Sequence, residues 1–293
     1  MAEDLLVDVI IPAVVVFAMT VVGLDLTLED FRRVAEHPRL VAVGVVGPIV
    51  ALPPLAMALA HVLTLPPAVA DGMVLVAACP VAVLSNLYTA LARATVGLSV
   101  TVTAVSSVVS VLTLPLVLTL ALGSAFGTGG VSLPVGRMMV QLVVLLLMPV
   151  ALGMATRTRW PRQAQRWVAP LRTLSLAAVL AVVATIVVQE RGRFVDILGT
   201  VVVAAAAFTV LAMAAGWLAA RVAAAGRAER FAVAMTWSAR NLSVATVVGA
   251  TILGRAELVV FAAAFFVAHA ALATAAVGAY RLTSSASRVA PGV

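Results

Sequence analysis

The sequence has no lysine, a single cysteine and little charge of either sign. Without lysine there is no Ser-Lys dyad, and the apolar runs hold neither paired aspartates nor a His-Glu metal motif, so an enzyme working inside a membrane would lack its acid or base. Cys79 alone excludes an internal disulfide and a thiolate pair for a metal, and reads as a small packing residue ahead of a helix break. Charged residues make up 11% and apolar residues 63% of the 293 positions, against about 45–50% apolar in soluble domains. The chain therefore reads as an all-α polytopic membrane protein whose constant partner is the lipid bilayer. Its net charge of +7 comes from 19 arginines and 12 acids, and most of it lies in loops, which argues against the basic folded face of a nucleic-acid-binding protein.

What is present is a series of apolar runs. The first, 9–24, follows Glu3, Asp4 and Asp8, an acidic opening unlike the basic start of a secretory signal, so it is expected to be a first span and not a cleaved leader. Thr27 with Asp30 three residues on is a capping-box pattern that His37-Pro38 terminates, which predicts a short interfacial helix. Further spans are expected at about 40–63 (kinked by Pro48, Pro53 and Pro54), 69–92, 98–122, 135–155, 174–188, 197–220, 231–253 and 258–280, nine in all. Residues 123–130 read as a flexible Gly-rich loop and 282–293 as a disordered tail. With the N-terminus outside, fourteen of the arginines fall on inner loops and tail, among them the dense run Arg157, Arg159, Arg162, Arg166 and Arg172. The positive-inside rule then places the C-terminus in the cytoplasm of a bacterial-type inner (plasma) membrane.

Two of these spans are interrupted. Pro80 removes a backbone donor ahead of Ser85-Asn86, and Thr236-Trp237-Ser238-Ala239-Arg240-Asn241 sets an arginine inside an apolar run. An ionised side chain near mid-membrane costs about 2.5–3.5 kcal/mol on insertion scales, so Arg240 is expected to face a partner, a cavity or a substrate. Broken spans in corresponding halves of a membrane chain mark a transporter's binding site, and inverted repeats of four and five spans would place the breaks in the third and eighth. The helix beginning at 98 carries Ser99, Thr101, Thr103, Ser106, Ser107 and Ser110, whose oxygens could ligate a small cation or whose small size could merely let helices approach. A lone intramembrane histidine such as His269 reads first as a packed, hydrogen-bonded residue and only second as a functional one.

GLDLTLEDFRRVAEHP after the first run, CPVAVLSNLYTALARATVGLSVTVTAVSS across the third and fourth, and RNLSVATVVGA in the eighth resemble the bile acid:sodium symporter family over nearly the whole chain. The resemblance implies a secondary transporter of organic anions, with a panel domain (about 9–24 and 135–188) and a core domain (about 39–122 and 197–281) in which two discontinuous helices cross. It implies that Ser85, Asn86, Ser99 and Thr103 match the side chains of a first sodium site, that Asn241 lies beside the crossing, and that His269 lies near the cavity. Some bacterial members have a further N-terminal span that this chain is expected to lack.

The departures point to a different coupling. Sodium-coupled members usually read E-x-x-x-Q-N across the second break, where this chain has Thr236 and Arg240; a second glutamine aligns with Pro48, and a Gly-Gly-Thr after Pro80 reads Val81-Ala82-Val83. A fixed guanidinium where a second sodium would sit repels it by about 4 kcal/mol at 4 Å and an effective dielectric of 20. The expectation is a small-organic-anion carrier with sodium coupling weakened or lost, Arg240 substituting for a bound cation and gripping the anion bidentately, and Asn241, Ser85, Asn86, Ser238 and His269 around it. The first sodium site is then vestigial, and no cofactor is expected beyond a sodium ion there. The alternatives are a sodium-coupled symporter using the first site alone, a metalloid efflux carrier and a non-transporting receptor. The sequence does not specify the anion, the transport direction or the oligomeric state.

Overall fold

A computed structural model describes residues 5–124 and 135–289. Among these, seven helices are long and apolar enough to cross a membrane: α1 (Leu6–Asp25), α3 (Pro38–Val62), α6 (Val96–Ser124), α7 (Val135–Arg159), α8 (Pro161–Phe194), α9 (Leu198–Val222) and α12 (Leu258–Val289). Between them lie the short α2 (Leu28–Arg32) and two interrupted pairs, α4 (Pro67–Ala78) with α5 (Leu84–Leu91), and α10 (Arg227–Ser238) with α11 (Leu242–Ile252). At about 1.5 Å per residue none of these four segments reaches across a hydrocarbon layer about 30 Å thick. The breaks fall where the sequence predicts them.

Thr27 donates to Asp30 through both its backbone N–H (2.8 Å) and its hydroxyl (2.7 Å), and Arg33 pairs with the same carboxylate at 3.0 Å, which stops and restarts the chain at α2. α3 is a single continuous helix through Pro48, Pro53 and Pro54. The basic stretch expected to be a loop anchor is instead helical: α7 ends at Arg159, Trp160 leaves the helical region as residues before proline tend to, and Pro161 starts α8 at a position where a missing N–H costs nothing. The tail expected to be disordered from 282 is helical to Val289. The Gly-rich loop, from 125 onward, and residues 290–293 lie outside the described residues.

Two packing groups result. α1 runs along the second half of α7 and along α8, while α3, α4, α6, α9, α10 and α12 pack on one another. Lipid gives helices no hydrophobic reason to associate, so close approach of small residues carries more of the packing. A methyl group at Gly23 would overlap Val150 O, and one at Gly153 would overlap Thr20 O, so the α1 and α7 backbones touch.

One end of the bundle gathers Asp25, Arg33, Arg157, Arg172 and Arg227; at the other, Thr251 Oγ1 donates to Val7 O at 3.0 Å. At this second end Arg255, in the connection between α11 and α12, pairs with Asp71 of α4 at 2.7 Å and with Glu257 at 3.0 Å. Asp71 is 1% exposed, and its Oδ1 has no hydrogen-bond partner among the described residues. Arg255→Ala should therefore lower stability by about 3 kcal/mol, the low end for a broken buried pair because Arg255 is itself partly exposed. Thermal unfolding of the solubilised protein should recover part of that loss in the Arg255→Ala/Asp71→Asn double variant.

Candidate functional site

The two breaks meet. Cys79 and Ala239 leave their helices in extended conformation, and the segments that follow cross as an antiparallel bridge between Val81 and Arg240. Ala82 N donates to Ala239 O and Asn241 N to Pro80 O, both at 3.0 Å, while Val81 N donates to Ser106 Oγ of α6 at 3.1 Å. Each break thus satisfies backbone groups that the other exposes, which is the condition for irregular backbone at membrane depth.

Arg240 is 6% exposed, and its guanidinium is spent on backbone. Nε donates to Trp237 O (3.1 Å), Nη1 to Cys79 O (3.2 Å), and Nη2 to Thr236 O and Trp237 O (both 2.7 Å). These carbonyls terminate α4 and α10, so one cation neutralises the negative ends of two helices. Four hydrogen bonds leave one of five N–H groups uncommitted, so the expected bidentate grip on a carboxylate is not available in this conformation.

Trp237 holds this corner in place. Its indole N–H donates to Val43 O of α3 at 3.0 Å, and Gly47 of α3 and Gly216 of α9 make room for its ring; a Cβ at Gly216 would lie 2.7 Å from Trp237 Cγ. Nothing in the sequence marks this tryptophan, because its two glycines are remote in the chain.

The four oxygens of the expected first sodium site do converge. Asn86 Oδ1 accepts from Ser99 Oγ at 2.7 Å and Thr103 Oγ1 at 3.3 Å, and Ser85 Oγ lies 3.3 Å from Ser99 Oγ and 3.5 Å from Thr103 Oγ1. Ser85, Ser99 and Thr103 are fully buried. The oxygens suit a hard cation in kind, but no carboxylate is among them to offset its desolvation. Ser238 Oγ lies 3.3 Å from His269 Nε2, and the imidazole packs between Tyr88 and Phe265. Asn241 caps α11, its Oδ1 accepting from Ser243 N (3.1 Å) and Val244 N (3.3 Å).

A cavity of about 370 Å³ opens beside the crossing and extends between α1, α5, α8 and α12 toward the arginine-rich end. Asn86, Arg240, Asn241, Ser243 and His269 line its inner part. Its other wall carries Arg172, bidentate to Asp25 at 2.5 and 3.1 Å. In the sequence Arg172 stands only among the basic anchors, and the one signal that sets it apart is its place near the start of an apolar run. Ser85, Ser99, Thr103 and Ser238 lie behind this surface, not on it.

Residues 12–197 match the model of the Sodium Bile acid symporter family. The chain belongs to this family. Among its relatives are the "Uncharacterized sodium-dependent transporter YocS" of Bacillus subtilis (strain 168), 29% identical over 178 residues, and the "Probable sodium/metabolite cotransporter BASS2, chloroplastic" of Oryza sativa subsp. japonica, 28% identical over 186. These matches cover 61% of this chain and 53% and 43% of the two relatives. The "Probable sodium/metabolite cotransporter BASS1, chloroplastic" of Arabidopsis thaliana is 37% identical over 131 residues, covering 45% of this chain and 31% of that protein. The chain thus spans about half or less of the curated relatives it matches. All three carry transporter names, in keeping with a family of transporters and not of enzymes.

Within the site, Asn241→Ala should cost about 1 kcal/mol by losing the cap on α11, whereas Asn241→Ser retains a neutral acceptor there and should keep most of its melting temperature. Thermal denaturation of both variants checks this.

Proposed function

We propose that this member of the family is a secondary transporter that moves a small organic anion by alternating access, with Arg240 as a resident cation at the crossing. One observation carries the reading: the carbonyl ends of two half-helices converge on a guanidinium beside a cavity lined by Asn86, Asn241 and His269. In transporters with discontinuous helices such carbonyl ends hold a coupling sodium or proton. A covalently attached cation offsets the same dipoles but cannot be released to either side, so it removes one route of coupling. A volume of about 370 Å³ suits a small molecule, and Arg172 at the cavity wall can exchange Asp25 for an anionic substrate.

The two interrupted pairs count as spans in this reading. With the seven continuous helices they make nine, in inverted repeats of four and five; α1, α7 and α8 form the panel and the remaining spans the core. The arginine-rich end faces the cytoplasm. Ser238 and His269 support the crossing from behind and from the side.

A second reading keeps sodium at the first site. It is favoured by the convergence of Ser85, Asn86, Ser99 and Thr103 and by the sodium in the relatives' names. Proteoliposome uptake separates the two, once a thermal-stabilisation screen of sterol acids, pantoate-like acids and keto acids has named an anion. The first reading expects uptake with no sodium gradient, at least about tenfold loss in Arg240→Ala, and little change in Ser99→Ala. The second expects strict dependence on sodium and loss in Ser99→Ala. Full activity in Arg240→Ala sinks the resident-cation reading.

Arg172→Gln tests the cavity wall separately. It should raise the anion concentration for half-maximal uptake about tenfold, the scale of one charged hydrogen-bond partner, while leaving the sodium response as in the wild type.

A further inference from the structure

A second concavity, of about 550 Å³, lies on the outer face of the bundle between α9, α10 and α12, away from the cavity at the crossing. Its walls are apolar along most of their length, with Met213, Phe231, Met235, Leu272 and Ala276 among them. At one end the lining changes to Arg227, Tyr280 and Thr283, with Trp217 beside them. The guanidinium of Arg227 donates to the hydroxyl and carbonyl of Thr283 and lies 5.0 Å over the Tyr280 ring; that of Arg230 lies 6.0 Å over Trp217. Neither arginine has an acidic partner among the described residues. The one acid of that turn, Glu229, accepts the backbone N–H of Gly226 instead.

We infer that this groove binds an anionic phospholipid, one acyl chain lying along the apolar walls and the phosphate resting against Arg227, with Arg230, behind Trp217, adding positive field. The apolar length excludes a water-soluble anion as the natural occupant, because such a ligand would leave most of the groove unfilled. The cationic, aromatic end sits where headgroups lie: at the helix termini that begin α10 and follow α9, on the arginine-rich side of the molecule. Basic pockets between membrane helices on the cytoplasmic side recognise anionic headgroups in this way, each arginine adding to the attraction. Phe231 and Met235 belong to α10, the half-helix that ends at Arg240, so the lipid braces the outside of the element whose inner end forms the crossing.

The test uses the full chain, delipidated in detergent, with native mass spectrometry and apparent melting temperature as readouts. Dioleoyl phosphatidylglycerol should be retained, and should stabilise, at about fivefold lower concentration than dioleoyl phosphatidylcholine. Arg227→Gln should abolish that preference, and Ala276→Phe, which fills the groove, should abolish retention of both lipids. Arg227 is exposed, so its variant preserves the test if Ala276→Phe does not fold. Equal retention of the two lipids by the wild type, an undiminished preference in Arg227→Gln, or equal stabilisation by glycerol 3-phosphate alone would each overturn the inference. Cross-linking of two chains across α9 and α12 in place of lipid retention would overturn it too.

Discussion

Two helices that end at the same buried point, both with their carbonyls toward it, need positive charge there. Each terminus carries roughly half a negative elementary charge, and water cannot offset it at membrane depth. Arg240 meets the need from within the chain: it bonds the last carbonyls of α10 and reaches Cys79 O at the end of α4. Everything nearby follows from this. The antiparallel bridge between Val81 and Arg240 fixes how the two segments cross, Ser106 takes up the spare N–H of Val81, and the two glycines facing Trp237 let α10 lie close enough to α3 and α9 for its end to arrive at the right depth.

A resident cation and a visiting one solve the same electrostatic problem with different consequences. A visiting ion can be bound on one side and released on the other, which couples its gradient to movement; a side chain can only travel with its helix. Under the proposed function, with four of the guanidinium's hydrogen bonds going to backbone, Arg240 would act on an anion in the cavity by field more than by contact. Direct donors must come from elsewhere on the lining, and Asn241, with its oxygen committed to the cap of α11, still has its amide N–H groups to offer.

The positions of the two breaks were legible in the sequence because Pro80 and Arg240 are each incompatible with an uninterrupted helix in lipid. The oxygen cluster was legible too, for a local reason added to the family resemblance: Ser99 and Thr103 are four apart on one helix face, and Ser85 and Asn86 are adjacent. What the sequence could not convey was which backbone groups Arg240 would reach, since Cys79 lies 161 residues away. The same holds for Trp237 with Gly47 and Gly216, and for Arg172 with Asp25, 147 residues apart. The basic run through Arg162 and Arg172 misled for the opposite reason. Charge density reads as loop, yet long arginine side chains let a helix continue past the apolar layer while their heads stay wet.

The ion pairs at the two ends of the molecule are unequal, and the inequality bears on how the cavity opens. At the end holding Arg255, Asp71 is 1% exposed and belongs to α4, so parting the pair strands a buried carboxylate beneath one of the crossing helices. At the arginine-rich end, Arg172 is 51% exposed and water replaces Asp25 at little cost, as at most surface pairs. The cavity reaches the second end, not the first. The buried pair therefore resists separation more than the solvated one, and under the proposed alternating-access function the solvated end is the one at which the cavity opens.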